Sequence, residues 1–386
     1  MTTSILHGHR IAFLAGTLQQ GGAERQLFRM VACLQERGVP VCVLCLTEGD
    51  HWEGPMRAAH IPVVHVGDAR SRLHRLQRII GALREFRATV VQSQHFYANT
   101  YAAVAAMRLG ITGIGAIRND GRAEVEANGF PMGWLHMYLP RRIVANSRVG
   151  IDFAVARGRA PARVMYLPNA VDDAFLEPYT REPHEGIRLL GVGRLTRQKR
   201  FDLFLDVAAA VEREMPGVVR GTIVGDRRPG DSTAEDLYAL AQRVLPSSDL
   251  VTFAGPTNDV RAAYRQADIL LLCSDHEGTP NVVLEAMACG LPVIATRVGA
   301  IDEIIQDGKN GFIVPRGDTA AMLRVLRMLA SDPAQRVVIG AAARETIQRT
   351  FDTRTMSGNL ERLYAWSAGD VSRRAGQAVH IMNGTA

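Results

Sequence analysis

One stretch of the chain constrains the fold more than any other, because two apolar runs of different period flank a polar turn. Residues 269–273 are unbroken and apolar, which is typical of a strand covered on both faces of a parallel sheet. The following residues are polar and include Gly278 and Pro280, and from Asn281 the apolar residues recur with the helical period. The segment therefore predicts a strand, a loop and a helix, in that order.

Two carboxylates, Glu277 in the predicted loop and Glu285 in the predicted helix, lie eight residues apart. If the helix starts near Asn281, its free N–H groups face the loop, so the turn can hold an anion while Glu277 reaches beside it and Glu285 lies along one flank. In a doubly wound sheet, ligands sit at this carboxyl end of a strand. The plainer alternative is that Glu277 is a solvated loop acid and Glu285 an exposed helix acid.

Length and composition indicate two globular domains. The 386 residues are 47% hydrophobic and 22% charged, so each half can bury its own core. No apolar run reaches the length of a membrane-spanning helix, and the first ten residues lack a signal-peptide segment, so we expect a cytoplasmic protein with at most peripheral contact at the inner face of the membrane. The five cysteines are odd in number and scattered, which predicts buried, reduced thiols.

Positive charge is concentrated in the first half of the chain. Residues 1–170 contain 20 Arg and Lys against 11 Asp and Glu, a net charge of +9, whereas the remainder carries −3. Such a field suits nucleotide phosphates, a lipid diphosphate or an anionic membrane, while nucleic acid is disfavoured because no basic aromatic platform is present. Residues 70–87 predict a basic amphipathic helix, which either contacts a membrane or packs its apolar stripe on its own sheet.

Three further features of the first half indicate ligand contact. Gly21 and Gly22 directly precede a helix, so backbone N–H groups there can approach a phosphate or sugar. His95 follows a strand, where a histidine is better placed for function than on an apolar helix face, although loop histidines are also often structural. Residues 119–133 are rich in Gly, Asn and acids and predict a mobile loop.

Glu277 and Glu285 resemble the E-x7-E signature of retaining glycosyltransferases, specifically glycosyltransferase family 4, also called group 1 glycosyltransferases. The resemblance runs from Gly21 to about Trp366. It implies the α/β GT-B fold, in which two Rossmann-like, doubly wound domains face each other across a cleft. One departure is Ala300, which replaces a glycine of the family's G-G-x-x-E segment and is tolerable if the backbone angle there is ordinary.

The resemblance also divides the chain. We expect an acceptor-binding domain at residues 1–172, a nucleotide-sugar-binding domain at 173–358, a C-terminal helix at 359–367 that crosses back to the first domain, and a disordered tail at 368–386. The first boundary follows residues 168–172, which resemble the family's P-N-G-V-D junction.

Site roles follow from the resemblance residue by residue. Arg194 and Lys199 match the family's diphosphate-binding pair, in a chain whose only other lysine is Lys309. Glu277 matches the acid that orients the donor sugar, and His95 a histidine that approaches it. The remaining expected donor contacts are Gly21, Gly22, Gly278, Thr279, Pro280, Asn281, Val282 and Glu285, the last of them on the ribose.

The predicted reaction transfers a sugar from a nucleotide-sugar, expected to be a UDP-sugar, to a hydroxyl of a glycan or lipid-linked acceptor in surface polysaccharide or glycolipid synthesis. No acid of the first half has the context of a nucleophile, which favours a front-face route with retention. Arg194 and Lys199 would stabilise the departing diphosphate, so we expect neither metal nor cofactor. The alternative is a sugar-nucleotide epimerase of the same two-domain fold, whereas a dehydrogenase is disfavoured because no G-x-G-x-x-G lies between strand and helix.

Overall fold

The computed structural model describes residues 6, 8–68, 70–227 and 230–367, and it divides into two compact units. Unit 1 contains the described residues up to Asn169 and those from Arg354 onward, and unit 2 is Ala170–Thr353. The sequence analysis places the first boundary three residues later, at Asp172. The tail predicted to be disordered, 368–386, lies outside the described residues.

Unit 1 is built on a seven-stranded parallel sheet. Its strands are β1 (Ile11–Ala15), β2 (Val41–Cys45), β3 (Val63–His65), β4 (Val90–Ser93), β5 (Thr112–Ile117), β6 (Arg142–Ala145) and β7 (Val164–Tyr166). The strand order is β3-β2-β1-β4-β5-β6-β7, and every neighbouring pair is parallel. The order therefore reverses its direction between β1 and β4, which is the topological switch point of such a sheet.

The helices of unit 1 connect these strands. They are α1 (Gly22–Glu36), α2 (Glu53–Ala58), α3 (Arg72–Glu85), α4 (Asn99–Leu109), α5 (Gly121–Asn128), α6 (Met132–Tyr138) and α7 (Arg148–Ala156). Three start at polar caps that satisfy backbone N–H groups, since Ser71 accepts from His74, Asp120 from Arg122 and Ala123, and Ser147 from Gly150.

The interpretation of residues 119–133 as a loop is wrong. Most of this segment is helical, in α5 and the start of α6. The Asp120 carboxylate caps α5 at 2.8 Å from the Arg122 amide, and Val125 is buried, so one capped and anchored turn outweighs the low helix propensity of its Gly and Asn residues.

Unit 2 contains a six-stranded parallel sheet. Its strands are β8 (Ile187–Val192), β9 (Val219–Val224), β10 (Val251–Gly255), β11 (Ile269–Leu272), β12 (Val293–Thr296) and β13 (Phe312–Val314). The order β10-β9-β8-β11-β12-β13 is that of a Rossmann fold, and its switch point lies between β8 and β11.

Helices cover both faces of this sheet. They are α8 (Phe201–Glu214), α9 (Thr233–Val244), α10 (Val260–Gln266), α11 (Asn281–Ala288), α12 (Ile301–Ile304), α13 (Thr319–Ser331) and α14 (Pro333–Thr350). Alternate residues of the central strands enter different cores: Leu189 and Leu271 pack with α8, α9 and α13, whereas Leu190 and Leu270 pack with α11, α12 and α14. Burial on both faces explains the unbroken apolar run of β11. Two parallel, Rossmann-like α/β units confirm the predicted fold class.

The last helix, α15 (Thr353–Ser367), packs on unit 1 and begins six residues before the predicted start at 359. Its fully buried Tyr364 donates a 2.9 Å hydrogen bond to Gln92 Oε1 in β4, and Trp366 donates one of 3.1 Å to the Ala162 carbonyl. The extra turn at the start is held by the buried side chain of Met356.

All five cysteines are buried and unpaired, as the sequence analysis predicts. Burial raises the pKa of Cys42 to about 12, so its thiol stays protonated at neutral pH. These thiols therefore act as small apolar groups in the cores.

Candidate active site

The two sides of the unit 2 switch point carry the predicted basic loop and the predicted acidic loop. The loop after β8 contains Arg194 and Lys199, and the loop after β11 contains Glu277. Because β8 and β11 are neighbouring parallel strands, both loops leave the same edge of the sheet. Open α/β sheets bind their ligands at this place.

Lys199 and Glu277 meet directly. Lys199 Nζ lies 2.7 Å from Glu277 Oε1, and their side chains are 18% and 11% exposed. The Ser274 hydroxyl donates to the same Oε1 at 2.7 Å. Both bonds end on one oxygen, so Glu277 Oε2 has no hydrogen-bond partner among the described residues. The structure thus brings a cation and a carboxylate with spare acceptor capacity to one point.

Backbone and side-chain contacts hold the two loops together on either side of this pair. The Asp275 amide donates to the Gln198 carbonyl at 2.9 Å, and Gln198 Nε2 donates to the His276 carbonyl at 2.6 Å. Arg200 adds an ion pair with Asp275 at 3.2 Å. The position of Lys199 relative to Glu277 is therefore fixed from several directions.

A glycine behind the acidic loop supports it by close contact. Gly299 has φ +52°, and a Cβ there would lie 2.1 Å from the Gly278 carbonyl oxygen and 2.5 Å from that of Glu277. The adjacent Ala300 amide donates to the same Gly278 carbonyl at 2.8 Å. Ala300 itself has φ −84°, so the condition under which its methyl group is tolerable is met.

The start of α11 follows the acidic loop, as predicted. The N-cap residue of this helix, Pro280, makes no side-chain cap hydrogen bond, and the first N–H groups of a helix are suited to an anion. Gly278, Thr279 and Pro280 are buried, and Asn281 and Val282 are half-buried at this helix start.

Glu285 is not the exposed helix acid of the plainer alternative. It is 1% exposed, and the Tyr264 hydroxyl donates to its Oε2 at 3.1 Å. The structure therefore shows a buried, hydrogen-bonded carboxylate, and the contact with a ribose stays a prediction.

Arg194 is exposed, and its side chain forms no hydrogen bond or ion pair within the part of the chain that the structure describes, although its backbone carbonyl accepts from the Thr196 amide at 2.8 Å. Its backbone lies against a second loop, because a Cβ on Gly225 would come within 3.4 Å of the Arg194 amide nitrogen. The structure therefore places Arg194 in the loop of Lys199, with its guanidinium free of protein partners.

In unit 1, His95 lies across the switch point from the loop after β1. The Gly16 amide donates to His95 Nδ1 at 3.0 Å, so the ring proton resides on Nε2, which lies 3.2 Å from Glu24 Oε1. Tyr97 stacks on the ring with a centroid distance of 5.4 Å. Both nitrogens of His95 are thus engaged within unit 1, and its approach to a donor sugar stays a prediction.

Glu24 anchors this arrangement from the first turn of α1. Burial alone would raise the pKa of Glu24, but hydrogen bonds from His95, its own amide and the Thr17 hydroxyl outweigh burial and hold that pKa below its usual value. Glu24 also folds back over the helix start, since a Cβ on Gly21 would meet its Oε2 at 2.3 Å. A carboxylate at this place does not favour phosphate binding by Gly21 and Gly22, which stays a prediction.

The sequence analysis missed three supporting residues: Glu24, Ser274 and Asp50. Asp50 Oδ2 accepts the Leu18 amide at 2.7 Å and so holds the loop after β1. Each of the three lies within ten residues of the carboxyl end of a strand, which is the signal that could have found them. The partners of Glu24 and Asp50 could not be read, because His95 and Leu18 lie in other loops, whereas Ser274 and Glu277 are only three residues apart in one loop.

We expect Gly299→Ala to destabilise unit 2 strongly. Its backbone angle disfavours a side chain, and the methyl group would overlap two carbonyls, so the free energy of unfolding should fall by about 3 kcal/mol. Gly308→Ala is the matched control, because Gly308 has φ +74° but open space around it, and should cost about 1 kcal/mol. Urea denaturation followed by circular dichroism measures both, and equal losses would contradict the close contact.

Glu24→Gln should destabilise unit 1 in a pH-dependent way. At pH 7 the loss should be about 2 kcal/mol, because a charged acceptor is replaced by a neutral one. Folding lowers the pKa of Glu24, so this stabilisation is present above the usual value of 4.5 and is lost as the pH falls through the folded pKa. All three tryptophans lie in unit 1, so their fluorescence during urea unfolding reports the effect. A difference from wild type that stays constant down to pH 3 would contradict this account.

Comparison with known proteins gives two family matches. The family described as "Glycosyltransferase Family 4" matches residues 20–175, and that described as "Glycosyl transferases group 1" matches residues 186–332. The two matches follow one another along the chain and cover one unit each.

Relatives and solved structures agree with these matches. The chain is 32% identical over 235 residues to a D-inositol 3-phosphate glycosyltransferase of Saccharomonospora viridis, covering 57% of this chain and 54% of the relative. It is 32% identical over 192 residues to the amylovoran biosynthesis glycosyltransferase AmsK of Erwinia amylovora, covering 47% of this chain and 46% of the relative. The matched segment thus spans about half the length of these relatives.

Among solved structures, HepE of Anabaena in complex with UDP-glucose has a TM-score of 0.79 at 18% identity, covering 92% of this chain and 99% of that one. Sucrose-phosphate synthase from Thermosynechococcus elongatus has a TM-score of 0.76 at 18% identity, covering 94% and 100%. At such identity the likeness shows the fold alone. With a matching pattern in each unit and the same fold, the chain belongs to the group 1 glycosyltransferases, glycosyltransferase family 4.

Proposed function

We propose that the chain transfers a sugar from a UDP-sugar to a hydroxyl of a glycan or lipid-linked acceptor, with retention of anomeric configuration. The observation that carries the proposal is the 2.7 Å contact between Lys199 and Glu277 at the switch point of unit 2. This pair offers a cation for a diphosphate and a carboxylate for sugar hydroxyls at one place. The two residues are 78 positions apart in sequence, so only the fold brings them together.

In this proposal Lys199 and Arg194 bind the donor diphosphate. Negative charge grows on its oxygens as the glycosidic bond breaks, so cations held there stabilise the transition state more than the bound donor. Lys199 is already positioned by Glu277, and the Arg194 guanidinium, which has no partner among the described residues, can add a fork of donors. The start of α11, with residues 278–282, supports binding of the distal phosphate through its backbone N–H groups.

Glu277 orients the sugar through its hydroxyls rather than attacking it. Its Oε1 already accepts from Lys199 and Ser274, which lowers its value as a nucleophile, whereas Oε2 has capacity for a hydroxyl. The acceptor proton would then pass to the departing diphosphate oxygen. Among the described residues, no group of three His, Cys, Asp or Glu could hold a metal ion, and independence from metal and cofactor stays a proposal.

The nucleotide and the acceptor are proposed from relatives. HepE has been solved in complex with UDP and with UDP-glucose, which supports a uridine donor. The amylovoran biosynthesis relative supports a role in surface polysaccharide synthesis. Both relatives named above are transferases, and they give no support to the epimerase alternative.

Contact with an anionic membrane through unit 1 also stays a proposal. None of the helices described here is long and apolar enough to cross a bilayer. Helix α3 buries Ile79 and Leu83 in its own core, and Arg75 and Arg78 bond to carbonyls of unit 1, so part of its basic face is already engaged. Leu73, an apolar residue in the first turn of α3, is 65% exposed and remains available for contact with a membrane.

Lys199→Ala and Glu277→Ala should each lower transfer at least 100-fold, a loss of about 3 kcal/mol in transition-state stabilisation. Lys309→Ala is the matched control, since Lys309 is the only other lysine and is exposed on a turn, and it should retain wild-type turnover. NMR of the product measures turnover and its anomeric configuration together, and the product should keep the configuration of the donor. Near-wild-type turnover of either site variant, or an inverted product, would refute the proposal.

A further inference from the structure

Unit 1 contains a group of polar side chains whose hydrogen-bonding capacity exceeds what the protein itself uses. We call it the Arg118 cluster, and its members are Gln92 in β4, Arg118 and Asn119 directly after β5, Glu124 in α5 and Tyr364 in α15. Tyr364 donates to Gln92 Oε1 at 2.9 Å, and its hydroxyl lies in the field of Arg118. The cluster lies at the carboxyl ends of neighbouring strands, where ligands of such sheets sit.

Four polar atoms of the cluster are shielded from solvent and have no hydrogen-bond partner within the described ranges. They are Gln92 Nε2, Arg118 Nε, Asn119 Oδ1 and Glu124 Oε2. Gln92 is fully buried, and the other three side chains are half-buried. Native proteins leave few such groups unpaired, so four in one cluster indicate a polar ligand that completes them.

The cluster also contains a half-buried cation, Arg118. The guanidinium donates a hydrogen bond from Nη2 to the uncharged Met30 sulfur at 3.7 Å, and Arg118 forms no salt bridge with any residue that the structure describes. Burial lowers the pKa of Arg118 to about 10, which still leaves it protonated at neutral pH. Burial raises the pKa of Glu124 to about 8, although the amides of Arg118 and Asn119 oppose the shift, so Glu124 is mostly neutral at pH 7.

We propose that the Arg118 cluster binds the phosphoryl group of a phosphorylated acceptor. The Arg118 guanidinium matches the geometry of phosphate oxygens, and the Gln92 amide and the protonated Glu124 carboxyl add further donors. Asn119 Oδ1 accepts from a hydroxyl beside the phosphate. The anion site rests on residues of unit 1 alone, and only its assignment to an acceptor rests on the proposed sugar transfer.

A role only in holding α15 on the sheet would leave several polar atoms of the cluster unexplained. The Tyr364 to Gln92 hydrogen bond does tie α15 to the sheet. That bond leaves Arg118 Nε and the Gln92 amide nitrogen without a hydrogen-bond acceptor among the described residues. A bound phosphoryl group supplies an acceptor to both.

Calorimetric titration with inorganic phosphate tests the site. The full chain carrying Lys199→Ala serves as parent, so that the proposed donor site contributes little. Adding Arg118→Gln should weaken phosphate binding about tenfold or more, since a charged fork is lost. Adding Arg122→Gln, the matched control with a 70% exposed side chain, should change it less than about twofold. Unchanged phosphate affinity in the folded Arg118 variant would overturn the inference.

A second variant keeps the test valid if Arg118→Gln fails to fold. In the same parent, sulfate affinity should fall between pH 7 and 9, because Glu124 ionises beside Arg118 and adds to the negative charge of Asp120. Sulfate remains a dianion over this range, and Tyr364, whose pKa burial raises, stays neutral. Glu124→Gln should abolish the decrease. The same pH dependence in that variant would contradict the proposal.

The source of the phosphoryl group follows from a comparison of two probes. A short-chain polyprenyl diphosphate that binds at least tenfold more tightly than inorganic diphosphate, and loses affinity with Arg118→Gln, identifies a lipid-linked acceptor. Equal, Arg118-dependent affinities identify a water-soluble phosphorylated acceptor. Affinities that do not depend on Arg118 would overturn the site. Since no donor sugar is present, these results do not depend on whether the chain transfers sugars.

Discussion

The contact between Lys199 and Glu277 is the constraint on which the site depends. Its partners are 78 residues apart and meet only because β8 and β11 are neighbours at the switch point of unit 2. In a place that is nearly closed to water, a lysine and a glutamate are each costly alone and stabilise one another when paired. The hydrogen bonds between the two loops, and the glycine that fits behind them, serve to keep this pair in one geometry.

The two units place different polar side chains at the same position of their sheets. Each places its most organised polar side chains at the carboxyl ends of the strands beside its switch point: Lys199 and Glu277 in unit 2, and His95 with Glu24 in unit 1. In unit 2 one acid holds a cation that a diphosphate can use. In unit 1 the acid Glu24 lies 3.2 Å from Nε2 of His95, whose tautomer the Gly16 amide sets, and Arg118 forms no salt bridge among the described residues. The proposed phosphorylated acceptor would supply an anion to Arg118.

Features that depend on local order were predictable. The apolar run of β11, the loop and the start of α11 follow from consecutive residues of the sequence. The resemblance to the family predicted which two loops of unit 2 form the site. Features that depend on tertiary contact were not. Residues 119–133 look like a loop by composition but form α5 through one cap and one buried valine, and Glu285 is buried because Tyr264 reaches it from another helix. Glu24 could not be assigned to His95, since 71 residues separate them.

In the proposed function, Lys199 binds the diphosphate of the donor, and Glu277 binds its sugar. Calorimetric titration with UDP and with UDP-glucose separates these tasks most directly. The account predicts that Lys199→Ala weakens the binding of both ligands about tenfold or more, whereas Glu277→Ala keeps most of the UDP affinity and loses the additional affinity for the sugar. If both variants bind both ligands as the wild type does, the account is contradicted.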